Sequence, residues 1–482
     1  MSQNPPPTSA AAARRLAHYT AAELVSGYAT GAFSPVDVLD DVLAVIRAHE
    51  PQINAIAWLD EGPAREAAQA SATRWRNGTA IGGANGVDGV PVTLKDLLLV
   101  RGTPTLRGSH LVDPDQPWDE DSPAAARLRA HGAVILGKTT TAEYGWKALA
   151  DSPLTGITRN PWNPQHTPGG SSGGSAAATA IGYGPLHVAT DGGGSTRLPA
   201  AHVGVFGFKP SFGRAAGYPA AHTGTLFHIT PMTRTVSDAA RLLNVIGHPD
   251  ARDPHSLPHT GNDWLDGIED GVAGLRIAFS PTLGYADVAP EVAARVAQAA
   301  QWFTALGAHV EQVDPGIDDP LPFYRTLVDA GVARLFETLP EARRARAEPG
   351  FREAAARGAK LSASQYLAAV QAREHLTRTL HDFIGRQWDL LITPVTADTA
   401  PLADPAGDVA SARTAISPFT YPFNLSQQPA ASVPVGLSET GLPIGLQIVG
   451  PRLGDALVLR AARAIERHHP FPGIARPASA QR

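Results

Sequence analysis

Helical and extended patterns alternate along this 482-residue chain from Ser34 to Val449, and that alternation limits the possible folds more than any other property. Ser34-Pro35 reads as an N-cap followed by proline at the first helical position. Val38, Val42, Val45 and Ile46 then form one apolar stripe. Val90 to Leu94 is a short apolar β-type run ending at Lys95. Ser122-Pro123 opens a second capped helix that stops near Gly132, and Ala133 to Leu136 follows as a buried strand. Ser175 to Ala180 reads as a closely packed small-residue helix, with Val188 to Thr190 leading out beyond it. Pro290 to Leu306 and Ser362 to Ile384 are long helical patterns; Leu390 to Ile392 and Ile444 to Val449 are strands. Such a chain is expected to be α/β, with helices covering a large sheet.

No repeat or linker divides it. Residues 1–15 and 471–482 read as flexible tails around one domain spanning 16–470, and the polar stretch 250–270 reads as a surface excursion. Hydrophobic residues make up 43% and charged residues 18%, enough apolar material for a large core. The net charge of −5 shows no basic excess, which argues against a nucleic-acid partner. No apolar run is long enough for a membrane span, and the N-terminus has no secretory h-region, so a cytoplasmic location is expected. With no cysteine, disulfides, a thiolate nucleophile and cysteine-based zinc sites are excluded. The 17 histidines show no HExxH-like spacing.

Two glycine-serine knots stand out. They are Thr167-Pro-Gly-Gly-Ser-Ser-Gly-Gly-Ser175 and Thr190-Asp-Gly-Gly-Gly-Ser-Thr-Arg197, with Ser171 and Ser195 lying 24 residues apart. A serine hydroxyl needs a base to become a nucleophile, and an amide carbonyl needs its oxyanion stabilised. Gly192, Gly193, Gly194 and Ser195 offer successive backbone N–H groups with little bulk between them. One such donor is typically worth about 2.7–4 kcal/mol in the transition state. Ser195 is therefore the expected nucleophile. No histidine near either knot is an obvious base, whereas Lys95 has apolar flanks on both sides, and burial lowers a lysine pKa by up to roughly 3–5 units.

Pro168-Gly-Gly-Ser-Ser-Gly-Gly174, Asp191-Gly-Gly-Gly-Ser-Thr-Arg-Leu-Pro199 and Val92-Thr-Leu-Lys-Asp96 together resemble the amidase signature family. The likeness continues through Phe206-Gly-Phe-Lys-Pro210, Thr393-Pro394, Asn424 to Pro434 and Gly441 to Gln447, covering roughly residues 20–470. The resemblance implies the amidase-signature fold, a large mixed sheet covered by helices on both faces. It implies a Ser-cisSer-Lys triad, with Ser195 as nucleophile, Ser171 as bridge after a cis peptide from Gly170, and Lys95 as terminal base. Ser172, Asp191 and Arg197 match positions that brace the site. No metal or cofactor is called for.

Three positions depart from the commonest pattern: Gly192 for threonine or serine, Gln427 for glycine, and Thr230 for the glycine before Pro231. The last two are expected to reshape the pocket. Tyr144 and Trp146 read either as pocket aromatics or as core, and His468-His469 as a solvated helix end.

Two motifs point elsewhere. Gly132-Ala-Val-Ile-Leu-Gly-Lys-Thr139 fits the P-loop pattern, but the residues before Gly132 read as helix and those after it as strand. Gly170-Ser-Ser-Gly-Gly174 fits the GxSxG elbow with Ser172 at its centre, yet Asn160 to Gly169 holds three prolines and no strand-like run. The expected function is hydrolysis of linear carboxylic amides, aryl-acylamides first, with esters and carbamates as further substrates, through a Ser195 acyl-enzyme. A glutamine-hydrolysing amidotransferase subunit is the alternative. The expected partner is a small-molecule substrate, and a homodimer is left open.

Overall fold

The computed structural model describes residues 14–404, 417–471 and 474–475. Thirteen strands lie among the described residues: β1 (Ile56–Leu59), β2 (Pro91–Lys95), β3 (Val134–Thr139), β4 (Asp151–Ser152), β5 (Gly156–Ile157), β6 (Leu186–Asp191), β7 (Phe206–Lys209), β8 (His228–Thr233), β9 (Arg276–Phe279), β10 (His309–Gln312), β11 (Leu390–Pro394), β12 (Ala430–Leu437) and β13 (Pro443–Val449). Eleven form one sheet in the order β1-β3-β2-β6-β8-β7-β12-β13-β11-β9-β10, while β4 and β5 pair separately. β2 runs parallel to both β3 and β6, and β6 runs antiparallel to β8, so the sheet is mixed as expected.

Local chemistry starts the helices where the sequence indicates. Ser34 and Ser362 each form a capping box, with Asp37 and Gln365 respectively, and Ser122 caps the helix Pro123–Ala130. The stripe of Val38, Val42, Val45 and Ile46 is buried on the Pro35–Ile53 helix.

Helices cover both faces. Val188 of β6 joins the main core with Leu242 and Leu243 of the Val236–Ile246 helix, whereas the next residue, Ala189, packs with Ala176, Ala180 and Ala200. This alternation is the period of two expected of a strand buried on both sides. All five residues of β2 are buried, which places its last residue, Lys95, inside the protein. Among the described residues, no helix is long and apolar enough to cross a membrane.

Three expectations change. Phe471 and Ala475 lie in the segment read as a C-terminal tail, yet Phe471 packs its ring 5.7 Å from Trp162 and the Ala475 N–H donates to Ala180 O at 2.8 Å. At the other end Arg14 and Arg15 pair with Glu23 and Asp41; residues 1–13, 472–473 and 476–482 lie outside the described residues. The 250–270 stretch is anchored by buried Trp264 and Ile268, because an aromatic and an aliphatic side chain outweigh its polar surroundings. His469 stacks on Trp302 at 4.2 Å and is not a freely solvated end.

Candidate active site

The sheet and the two glycine-serine knots bring Lys95, Ser171 and Ser195 into one chain of contacts. Because β2 and β6 are parallel neighbours, Lys95 and Asp191 end their strands at the same edge. The first knot leads into the Gly173–Ile181 helix, whose residues are all buried, and the second leads into the Arg197–Val203 helix. The Ser172 N–H donates to Ser195 O at 3.2 Å, so the knots are tied to each other through the backbone. The Gly170–Ser171 peptide is cis.

Lys95 Nζ lies 2.7 Å from Ser171 Oγ, 2.8 Å from Ser172 Oγ and 3.0 Å from Thr190 Oγ1. Ser171 Oγ lies 3.1 Å from Ser195 Oγ. Lys95 is 0% exposed, and among the described residues no carboxylate stands within ion-pair distance of it. Burial pushes its ammonium well below the usual 10.5, against the opposing charge of Asp191.

The Ser172 hydroxyl donates to Thr190 O at 3.0 Å, so it accepts from the amine. A neutral amine has two N–H bonds and one lone pair. A neutral amine giving its two hydrogens to Ser172 and Thr190 would have its lone pair towards Ser171, the polarity needed to draw a proton from Ser195 through Ser171.

Beneath the second knot, Arg197 and Asp191 form a fully buried bidentate pair, with Nε to Oδ2 at 3.0 Å and Nη2 to Oδ1 at 2.9 Å. Burial alone would raise the Asp191 carboxyl, but the Arg197 guanidinium overrides it and holds the acid below the usual carboxylate range. Asn424 and Gln447 are further partners of the guanidinium at 2.7 and 2.8 Å, and Thr420 O is another at 3.0 Å. The sequence alone does not mark Thr190, Asn424 and Gln447 for these contacts. Thr190 directly precedes the second knot and is within reach of local reasoning. Asn424 and Gln447 join Arg197 from 227 and 250 residues away, a distance no local signal spans.

Of the four amides expected to face an oxyanion, one has an acceptor within the protein. The Gly194 N–H is already committed to Asp191 Oδ1 at 2.7 Å, because the carboxylate lies directly under the turn. Among the described residues, the N–H groups of Gly192, Gly193 and Ser195 have no acceptor, and they remain as the donor set. A Cβ on Gly193 would sit 1.9 Å from the Tyr324 hydroxyl, so a larger residue there requires the Tyr324 side chain to move.

Ser171 and residues 192–195 open onto a cavity of about 610 Å³. Tyr144, Trp146, Phe227, Tyr324 and Tyr421 line it, and the Leu321–Thr338 and Pro349–Gly358 helices contribute to its wall. Tyr144 is also core, stacked on Phe351 at 5.7 Å. Gln427 and Thr230, expected to reshape the pocket, do not line this cavity: Gln427 bonds Thr225 O and Arg452, and Thr230 bonds Thr196.

The competing motifs fail on structure. Lys138 of the P-loop pattern lies inside β3, with its amine bonded to Leu98 O at 2.6 Å and to Thr105, so no phosphate loop exists there. No strand precedes Ser172, whose hydroxyl is enclosed between Lys95 and Thr190.

The Amidase family model matches residues 37–459. An acylamidase of Rhodococcus erythropolis is 35% identical over 468 residues, covering 94% of this chain and 96% of the relative. A glutamyl-tRNA(Gln) amidotransferase subunit of Geotalea daltonii is 34% identical over 471 residues, covering 90% of this chain and 94% of the relative. The solved structure of a bacterial aryl acylamidase of the amidase signature enzymes superposes with a TM-score of 0.87 at 31% identity, over 94% of this chain and 96% of that one.

Proposed function

The chain belongs to the amidase signature family and hydrolyses amides, and from that premise we propose that it is an acylamidase acting on apolar and aryl amides through a Ser195 acyl-enzyme. The observation that carries this reading is the hydrogen-bonded line from Ser195 through Ser171 to a buried lysine, opening onto an aromatic-lined cavity.

Ser195 Oγ attacks the amide carbon while its proton moves to Ser171, and the Ser171 proton moves to neutral Lys95. The carbonyl oxygen becomes an oxyanion facing the amides of Gly192, Gly193 and Ser195. An amide anion is too basic to leave, so Ser171 gives a proton to the departing nitrogen and recovers one from Lys95. Water then adds to the acyl carbon with its proton passing through Ser171 to Lys95, and Ser195 recovers a proton from Ser171 as the acid leaves. Ser172 and Thr190 hold the lysine amine; Asp191 and Arg197 hold the turn. Esters and carbamates fit the same sequence of steps.

The experiment pairs two measurements. A serine-directed acylating reagent with peptide mapping is expected to label Ser195, and a label elsewhere overturns the assignment. A panel of p-nitroanilides, primary amides, carbamates and glutamine is expected to show the anilides cleaved with the highest kcat/KM. Preference for glutamine would replace this reading with the amidotransferase-type one of the 34%-identical relative.

A further inference from the structure

We propose that Thr420, on the segment leading into the Tyr421–Leu425 helix, is a positioning residue that locks the oxyanion turn in its donor-forward arrangement. This rests on the reading of Ser195 as the nucleophile. A trans peptide is planar, and its N–H and C=O point in opposite directions, so whatever holds the carbonyl also aims the amide. Each carbonyl of the second knot has its own holder. Gly192 O accepts a long bond from the Tyr324 hydroxyl at 3.5 Å, and Gly194 O accepts from Leu198 N at 2.9 Å. Those two bonds aim the Gly193 and Ser195 amides, which have no acceptor among the described residues.

The peptide between them is held at both ends. The Thr420 hydroxyl donates to Gly193 O at 2.7 Å, and the N–H of the same peptide unit, on Gly194, donates to Asp191 Oδ1 at 2.7 Å. Thr420 has only one proton to give. Its alternative acceptor, Ser417 O, is at 3.4 Å, so Gly193 O is the better partner. The contact leaves no slack: Gly194 has φ +125°, and a Cβ there would fall 2.1 Å from Thr420 Oγ1.

The clamp closes on itself. Arg197 Nη1 donates to Thr420 O at 3.0 Å, and Arg197 Nη2 donates to Asp191 Oδ1 at 2.9 Å. Arg197, Asp191, Gly194, Gly193 and Thr420 thus form a closed hydrogen-bonded ring around the peptide that joins the two units bearing the Gly193 and Ser195 amides. Thr420 is 0% exposed, so no water replaces its hydroxyl if that is removed. An unpaired Gly193 carbonyl would then seek another donor, and rotation of its peptide would misaim both neighbouring amides.

The test compares Thr420→Val, which keeps the shape and removes the donor, with Thr420→Ser, which keeps the donor. Readouts are kcat and KM for a p-nitroanilide, and inhibition by an arylboronic acid, which becomes a tetrahedral anion on adding a serine oxygen. Thr420→Val is expected to lower kcat about 10- to 100-fold, below the 10²–10³ typical of deleting an oxyanion donor outright. KM should stay within about threefold, boronate affinity should fall in parallel with kcat, and Thr420→Ser should recover most of both. If Thr420→Val does not fold, as judged by circular dichroism, Thr420→Ala against Thr420→Ser makes the same comparison. Wild-type kcat and boronate affinity in the variant without the donor overturn the proposal, as does an equal loss in Thr420→Ser. The nucleophile reading is controlled separately: boronate binding that survives Ser195→Ala refutes that reading, whatever the Thr420 series shows.

Discussion

Replacing Lys95 with methionine tests whether the buried amine is neutral, and therefore whether it can act as a base. In the folded protein burial lowers its pKa well below 10.5, while in the unfolded chain the amine keeps its ordinary value. Between those two values the unfolded state binds one more proton than the folded state. Unfolding free energy therefore rises with pH by 2.303RT, about 1.4 kcal/mol per pH unit, and this contribution is lost as pH falls towards the folded pKa. Over the pH range in which the folded amine is neutral, each pH unit below 10.5 costs the fold about 1.4 kcal/mol. Lys95→Met removes that cost but strips a partner from Ser171, Ser172 and Thr190, at about 1–3 kcal/mol for each hydroxyl left unsatisfied. Net stability at one pH is thus a poor readout, and the slope is a clean one. Equilibrium urea unfolding of both proteins from pH 7 to 10 should give a difference, wild type minus Lys95→Met, that climbs by about 1.4 kcal/mol per pH unit. Other buried cations such as Lys209 are common to both proteins and cancel. A flat difference would mean that Lys95 is protonated in the folded state, and the proton path from Ser195 would lose its terminus.

The remaining predictions follow from the same contacts. Ser195→Ala is expected to lower kcat by at least about 10⁴-fold in a p-nitroanilide assay, with Ser172→Ala losing far less because Ser172 only holds the amine. The reverse ranking would restore the GxSxG reading. Asp191→Asn leaves the buried Arg197 guanidinium without its counter-charge and should cost about 3–5 kcal/mol, read as a lower urea midpoint. Gly193→Ala should sharply lower kcat in the same assay while the protein stays folded, as the added methyl falls 1.9 Å from the Tyr324 hydroxyl and 2.7 Å from its ring.

Much of the site is legible in the sequence because its chemistry is local. A hydroxyl among glycines, a lysine ending an apolar strand and an acid-arginine pair six residues apart can be read from short windows, and the structure brings all of them together. The same local reasoning does not see which amides already have an acceptor. Four consecutive amides look equivalent in sequence, and only the position of the Asp191 carboxylate removes Gly194 from the set.

The sequence by itself determined the alternation of helices and strands, the capped helix starts and the residue types of the triad. Each of these depends on a backbone period, a capping side chain or a reactive group that is fixed within a few residues. Only the tertiary structure decided that Lys95 is sealed from water with three hydroxyls around its amine. It alone set Thr420, Asn424 and Gln447 against the second knot, and among the described residues it leaves the amides of Gly192, Gly193 and Ser195 without an acceptor. The lysine's contacts join segments 76 to 95 residues apart, and those of Thr420, Asn424 and Gln447 join segments 227 to 250 apart, so no short window along the chain contains both partners.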